Sequence, residues 1–253
     1  MFVGDTHEDR VFIKKCIRIA AQNNITHLIQ LGDFGMWIEA DGSLNVAFLM
    51  EIALYALKYG VIIIFIDGNH DFHAGARALY SADADGLREI HPNLIWADRG
   101  AIFTVEGVTF GALGGAVSHD RGRRKIHFDT EMTTRDDLQA LLTRQEAYGK
   151  TIDVLLTHEA PSSVVVPGVS LLGGSVGRDI AENRDVLSEA VSALLPKYVL
   201  HGHHHHYYTA IIDIGATLVR VYGYASNIQN DKTAYGIFTT EELQNGYRSV
   251  FAT

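Results

Sequence analysis

The chain has 253 residues, 47% hydrophobic and 20% charged, which is enough apolar material for one compact domain spanning residues 1–253. Acidic residues outnumber basic ones 30 to 21, and the formal charge of -9 opposes indiscriminate duplex DNA binding, which needs many cationic phosphate contacts. The lone cysteine, Cys16, excludes an intrachain disulfide and fits a reducing cytoplasm, and the most apolar stretch, Ala53 to Ile66, is broken by Lys58 and Gly60 and is too short to span a bilayer.

In chain order, Met1-Phe2-Val3 reads as a very short strand that runs at once into Gly4-Asp5-Thr6-His7, leaving no room for a signal peptide. Asp9 to Asn23 carries Phe12, Cys16, Ile19 and Ala20 at helical spacing. His27 to Leu31 is a strand ending at Gly32-Asp33. Asn45 to Tyr59, apolar nearly all round, is a helix stopped by Gly60. The β-branched run Val61 to Ile66 leads into Gly68-Asn69-His70-Asp71, and Ile102–Val105 with Val108–Ala112 forms a hairpin around Gly107.

Thr134 starts a helix over Leu138, Leu141 and Leu142, with Asp137 placed to close a capping box and Gly149 to end it. Asp153 to Leu156 is a strand before His158. Leu187, Ala190, Val191 and Leu194 make a helix stopped by Pro196, and Tyr198 to Leu200 is a strand before His201 to His206. Leu218–Tyr222 and Tyr235–Thr239 supply late strands, and the segment from Asn227 onward completes a sheet or a subunit contact. The alternation predicts an α/β layer structure with polar fragments gathered at the carboxyl ends of strands.

Five fragments hold the chemistry: Gly4-Asp5-Thr6-His7, Gly32-Asp33, Gly68-Asn69-His70-Asp71, Thr157-His158 and Gly202-His203-His204-His205. They offer nitrogen and oxygen donors without thiolate, a set that suits Mn, Fe, Co, Ni or Zn. Singly, each has an ordinary reading, such as a turn for Asp5 and His7, a helix cap for Asp33 or a packed core imidazole for His158. Jointly, their order and spacing resemble the calcineurin-like metallophosphoesterases, whose pattern runs D-x-H, G-D, G-N-H-D/E, H and G-H-x-H; the resemblance covers Asp5 to His205. A terminal purification tag does not explain the histidine run, which lies between an apolar strand and Tyr207 to Ile212. Along an extended segment side chains alternate, so His203 and His205 are expected to point the same way and His204 and His206 elsewhere.

The resemblance implies a four-layer α-β-β-α sandwich with two mixed β-sheets, the metallo-dependent phosphatase fold. It implies Asp5, His7, Asp33 and His205 on one divalent metal and Asp33, Asn69, His158 and His203 on a second, with Mn the first choice. It also implies in-line attack by a metal-bridging hydroxide, with His70 as general acid. One departure touches that acid. Gly32-Asp33-Phe34-Gly35-Met36-Trp37 lacks the second Asp and the Arg of the protein-phosphatase branch, so Met36 stands where an orienting Asp would be and Asp71 becomes the candidate partner of His70.

Gly114 to Lys125 concentrates cations in an acidic chain and resembles Gly-Gly-x-x-Ser-x-Asp-Arg segments of a bacterial and phage subset of the family. It offers Asp120, Arg121 and Arg124 as substrate contacts, with a solvated basic loop as the plain alternative. Phe34, Trp37 and Phe72 suit base stacking or core packing equally. The expected activity is a phosphodiesterase on small esters such as cyclic nucleotides, the 2′,3′-cyclic type included. Its alternatives are a phosphomonoesterase, a dinucleoside-polyphosphate hydrolase, or a metal-binding scaffold without catalysis. A homo-oligomer is compatible with the sequence.

Overall fold

The computed structural model describes residues 1–119, 130–169, 173–228 and 232–246. Its first half contains β1 (Phe2–Val3), α1 (Arg10–Gln22), β2 (His27–Leu31), α2 (Val46–Tyr59), β3 (Ile62–Ile66), α3 (His73–Leu79), β4 (Leu87–His91) and β5 (Leu94–Ala97). Then follow β6 (Ile102–Val105), β7 (Val108–Leu113), α4 (Arg135–Tyr148), β8 (Val154–Thr157), α5 (Gly174–Leu194), β9 (Tyr198–His201), β10 (Tyr208–Ile214), β11 (Thr217–Gly223), β12 (Tyr235–Gly236) and α6 (Thr240–Asn245).

The strands form two six-stranded sheets, ordered β12-β1-β2-β3-β5-β4 and β10-β11-β9-β8-β7-β6. In the first, β1, β2, β3 and β5 are parallel, while β12 and β4 close the edges antiparallel. The second repeats this plan, with β7, β8, β9 and β11 parallel between antiparallel β6 and β10. All the parallel strands therefore deliver their carboxyl ends, and the loops after them, to common rims of the two sheets.

Strand alternation decides the layering. On one face of the first sheet Leu28, Ile63 and Phe65 pack with Phe12 and Ile17 of α1 and Phe48 and Ile52 of α2. On its other face Ile29, Leu31, Ile64 and Ile66 meet Phe110, Val154, Leu156 and Leu200 of the second sheet. The outer face of that sheet presents Leu155, Val199 and Val221 to Leu141 of α4 and Leu187 and Val191 of α5. Successive residues of one strand thus serve two different cores, which is why the buried parallel strands read as continuous apolar runs. The result is the predicted α-β-β-α sandwich.

Local signals held where they were strong. Asp9 caps α1 by accepting from the Val11 and Phe12 amides, and the Thr134–Asp137 capping box starts α4. Several elements depart from expectation. α5 begins at Gly174 instead of near Leu187, because Arg178, Asp179, Glu182 and Asn183 hide the apolar spacing of its first half. Short α3 follows Phe72 without a side-chain cap, and the β4–β5 pair carries a register shift between Glu89 and His91, so neither announced itself. The last strand is only Tyr235–Gly236, after which Thr239 caps α6. Among the described residues no helix is long and apolar enough to cross a membrane.

Candidate metal centre

The loops after β1, β2, β3, β8 and β9 meet at the rim, and their backbones are bent to do so. Four of the seven predicted ligands have left-handed φ: His7 at 45°, Asp33 at 53°, His203 at 66° and His205 at 55°. Non-glycine residues rarely adopt this region, and surrounding structure must hold them there. The expectation that His203 and His205 converge by strand alternation is therefore corrected. The run after β9 is kinked, and two left-handed residues aim the imidazoles.

Glycines make room for the carboxylates. A Cβ on Gly68 would lie 2.2 Å from Asp33 Oδ1 and 2.4 Å from Asp33 N, and one on Gly202 would lie 2.1 Å from Asp5 Oδ1. Each aspartate is pinned by one oxygen and presents the other. Asp33 Oδ1 accepts from the His70 amide at 2.8 Å, and Asp5 Oδ1 accepts from the His203 amide at 2.9 Å. Asp33 Oδ2 faces His158 Nε2 at 3.4 Å, His7 Nδ1 at 3.9 Å and His70 Nε2 at 3.9 Å. Asp5 Oδ2 faces His205 Nε2 at 3.0 Å and His7 Nε2 at 3.7 Å. His7 Nε2 and His205 Nε2 stand 3.1 Å apart.

Three overlapping groups could hold cations here: Asp5, His7 and His205; His7, Asp33 and His70; and Asp5, Asp33 and His158. His203 falls outside these groups but adjoins them, and Asn69 immediately precedes His70, whose amide holds Asp33. The His203 ring is 5.1 Å from that of His158, and it also groups with His119 and His204. Asp5 Oδ2, Asn69 Oδ1, His158 Nε2 and His203 Nε2 are buried without a well-formed hydrogen bond. Buried polar atoms are ordinarily satisfied, so such a concentration of bare donors fits divalent cations.

The electrostatics agree. His158 Nδ1 bonds the Leu31 carbonyl at 2.7 Å, which directs Nε2 into the site. Burial lowers the His158 pKa, but Asp33 and Asp5 outweigh it and raise this imidazole to about 10 in the metal-free protein. His203 goes the other way, held well below its ordinary value chiefly by burial. His201 is buried, shares a hydrogen bond with the Tyr208 hydroxyl at 2.7 Å, and is pushed down to about 3 by burial and His204.

Asp71 does not serve His70 as expected. Its Oδ1 accepts from the Gly35 and Met36 amides at 3.0 and 2.8 Å, and its Oδ2 from Phe34 and Gly68 at 3.1 and 2.9 Å. Burial and the Asp33 charge push this acid up to about 7 against the pull of the amides. It fastens the Asp33 loop to the Asn69 loop. Asp120, Arg121 and Arg124 lie outside the described residues. Phe34 is fully buried and stacks on Phe65 at 4.4 Å, so it belongs to the core, whereas Trp37 is 40% exposed.

Sequence reasoning missed Glu159, fully buried beside His158. Its Oε1 is 2.6 Å from His204 Nε2 and its Oε2 3.5 Å from His203 Nε2. Although burial opposes it, these imidazoles hold the carboxyl well below the usual range. Glu159 thus anchors the His204 ring and keeps a negative charge beside that of His203. The only signal was an acid directly after a predicted ligand.

Two facing mixed sheets with a carboxylate–imidazole cluster on their rim define the metallo-dependent phosphatase fold. A model of the calcineurin-like phosphoesterase family matches residues 1–207, and the chain belongs to that family. The family implies phosphoric ester hydrolysis with divalent metal ions at a binuclear site. A dimetal phosphatase from Danio rerio is similar in structure at 12% identity and TM-score 0.52, covering 89% of this chain and 87% of its own. The protein TT1561 of Thermus thermophilus matches at 12% identity and TM-score 0.50, over 87% of each chain. At this identity both likenesses concern the fold. No curated protein matches the chain.

Proposed function

We propose that the chain is a binuclear metal-dependent phosphodiesterase acting on small phosphodiesters such as cyclic nucleotides, the 2′,3′-cyclic type included. The observation that carries this reading is the cluster of Asp5, Asp33 and His158, whose ligand atoms lie close enough together to share a cation, beside the cluster of Asp5, His7 and His205. Asp5, His7, Asp33 and His205 would hold one cation, and Asp33, Asn69, His158 and His203 the other, with Mn proposed first. Bound there, the pair would lower the pKa of water toward ~7 and neutralise phosphoryl oxygens.

The protein's own groups do the remaining work. The Asp33 and Asp5 carboxylates are oriented by amides, so the site is formed before substrate arrives. His70 is half-buried, its ring set edge-on to His7 at 5.1 Å, and it is assigned the transfer of a proton to the departing oxygen. Among the described residues, the side chains that ion-pair with Asp5 and Asp33 are all imidazoles. Met36 is fully buried where the protein-phosphatase branch carries its acid-orienting Asp, which disfavours that activity. Asp120, Arg121 and Arg124 are assigned to the substrate on sequence grounds.

The test compares bis-p-nitrophenyl phosphate, p-nitrophenyl phosphate and 2′,3′- and 3′,5′-cyclic AMP with Mn-loaded protein. Faster diester than monoester turnover is expected. Monoester turnover alone would move the assignment to a phosphomonoesterase, and loaded but inert protein to a scaffold.

A further inference from the structure

The segment singled out for substrate reading contains a residue with a different task. Ser118 and Glu131 stand at either end of residues 119–130, and both are buried, at 1% and 0% exposure. The Ser118 amide donates to Glu131 Oε1 at 2.9 Å, and the Ser118 hydroxyl donates to Glu131 Oε2 at 2.7 Å. A serine hydroxyl has one hydrogen, so its oxygen is left as an acceptor, and Asn69 Nδ2 donates to it at 2.9 Å. Asn69 Oδ1 is then turned away from Ser118, buried and bare.

Further contacts hold Glu131 in place. Arg99 Nη2 donates to its carbonyl at 2.9 Å while pairing with Asp67 at 2.7 Å, and Asp67 lies two residues before Asn69. A carboxylate thus dictates the direction of a serine hydroxyl, and the hydroxyl dictates which end of an amide faces the rim. An amide reversed by half a turn would offer the cation N–H hydrogens in place of a lone pair.

We infer that Ser118, held by Glu131, is the positioning residue that fixes the Asn69 amide with its oxygen toward the second cation. This rests on the reading of Asn69 as a ligand. Glu131→Gln makes a sharp test because it keeps size while replacing one of the two oxygens that accept from Ser118 with a donor. The Gln oxygen must serve the fixed Ser118 amide, so its NH2 donates to Ser118 Oγ. The serine hydrogen then loses its acceptor, and the Asn69 amide is no longer constrained to present one end.

Metal-stripped wild type, Ser118→Ala, Glu131→Gln and Asn69→Ala are titrated with Mn(II) by calorimetry, with free Mn(II) followed by EPR and unfolding by thermal melting. In Ser118→Ala and Glu131→Gln we expect one cation to bind as in wild type and the other about 10- to 100-fold more weakly, the range for lost outer-shell partners. The metal-free melting temperature of Glu131→Gln should stay close to that of wild type. If both variants bind two cations normally while Asn69→Ala loses one, the positioning role is wrong and the ligand reading survives. If Asn69→Ala itself binds both normally, the ligand reading falls and takes this inference with it. Equal weakening at both sites with a lowered melting temperature shows a purely structural clasp and also overturns the proposal.

Discussion

Asp71→Ala separates a structural from a catalytic reading of that acid. Its two oxygens accept hydrogen bonds from four backbone amides, those of Phe34, Gly35, Met36 and Gly68, all in buried residues. A buried donor stripped of its acceptor costs about 1–3 kcal/mol, so even at the lower end the four amides give a loss of about 4 kcal/mol. Against a total stability of ~5–15 kcal/mol that is a large fraction. For a chain of this size about 1 kcal/mol moves the melting temperature by ~2–4 °C, so a fall of about 8–16 °C is expected in metal-free protein. Asp71→Asn keeps one acceptor oxygen and should fall between the two. Differential scanning calorimetry with excess chelator makes the measurement. A metal-free Asp71→Ala protein that melts within about 2 °C of wild type, with turnover reduced on alkyl esters only, would refute the clasp and restore Asp71 as partner of His70.

Three further outcomes follow from the site. Gly68→Ala places a Cβ 2.4 Å from Asp33 N, a backbone atom with little room to retreat; it should cost about 1–3 kcal/mol and abolish Mn(II) binding by calorimetry. Normal Mn(II) binding would show that the Gly68 approach is not tight. His70→Ala should lose ~100-fold or more on esters with alkoxide leaving groups and far less on nitrophenyl esters, and equal losses would count against His70 as the acid. In metal-free protein burial disfavours charged His158, but Asp33 and Asp5 override it and raise its pKa from 6.5 to about 10. Its stabilising charge is therefore fully present below about 6.5 and is lost as pH rises through about 10. Thermal melts should show this alkaline loss in chelated protein and not in Mn-loaded protein. Loading near neutrality should release a proton, read as a dependence of binding heat on buffer ionisation enthalpy.

Much of this was legible in the residues themselves. Buried parallel strands show as β-branched runs ending in Gly, as at Val61 to Ile66, because both faces of such a strand are covered. The five polar fragments follow those runs because loops after strands carry the site. Less was visible where local signals conflicted with tertiary demand. The first half of α5 is polar enough to hide its period, and α3 has no capping side chain. The partners of Asp71 were invisible because they are backbone amides, which every sequence offers everywhere.

Composition, strand runs and motif order determined by themselves that this chain layers helices on sheets and carries oxygen and nitrogen donors after its strands. Those properties are local or additive along the chain. Only the tertiary structure decided that His203 and His205 are turned by left-handed kinks and that Asp71 staples two loops. It also decided that Glu159 backs the histidine run and that Glu131 reaches Asn69 through Ser118. Each of these depends on hydrogen-bond direction between segments distant in sequence, and a direction in space exists only once the sheets have packed.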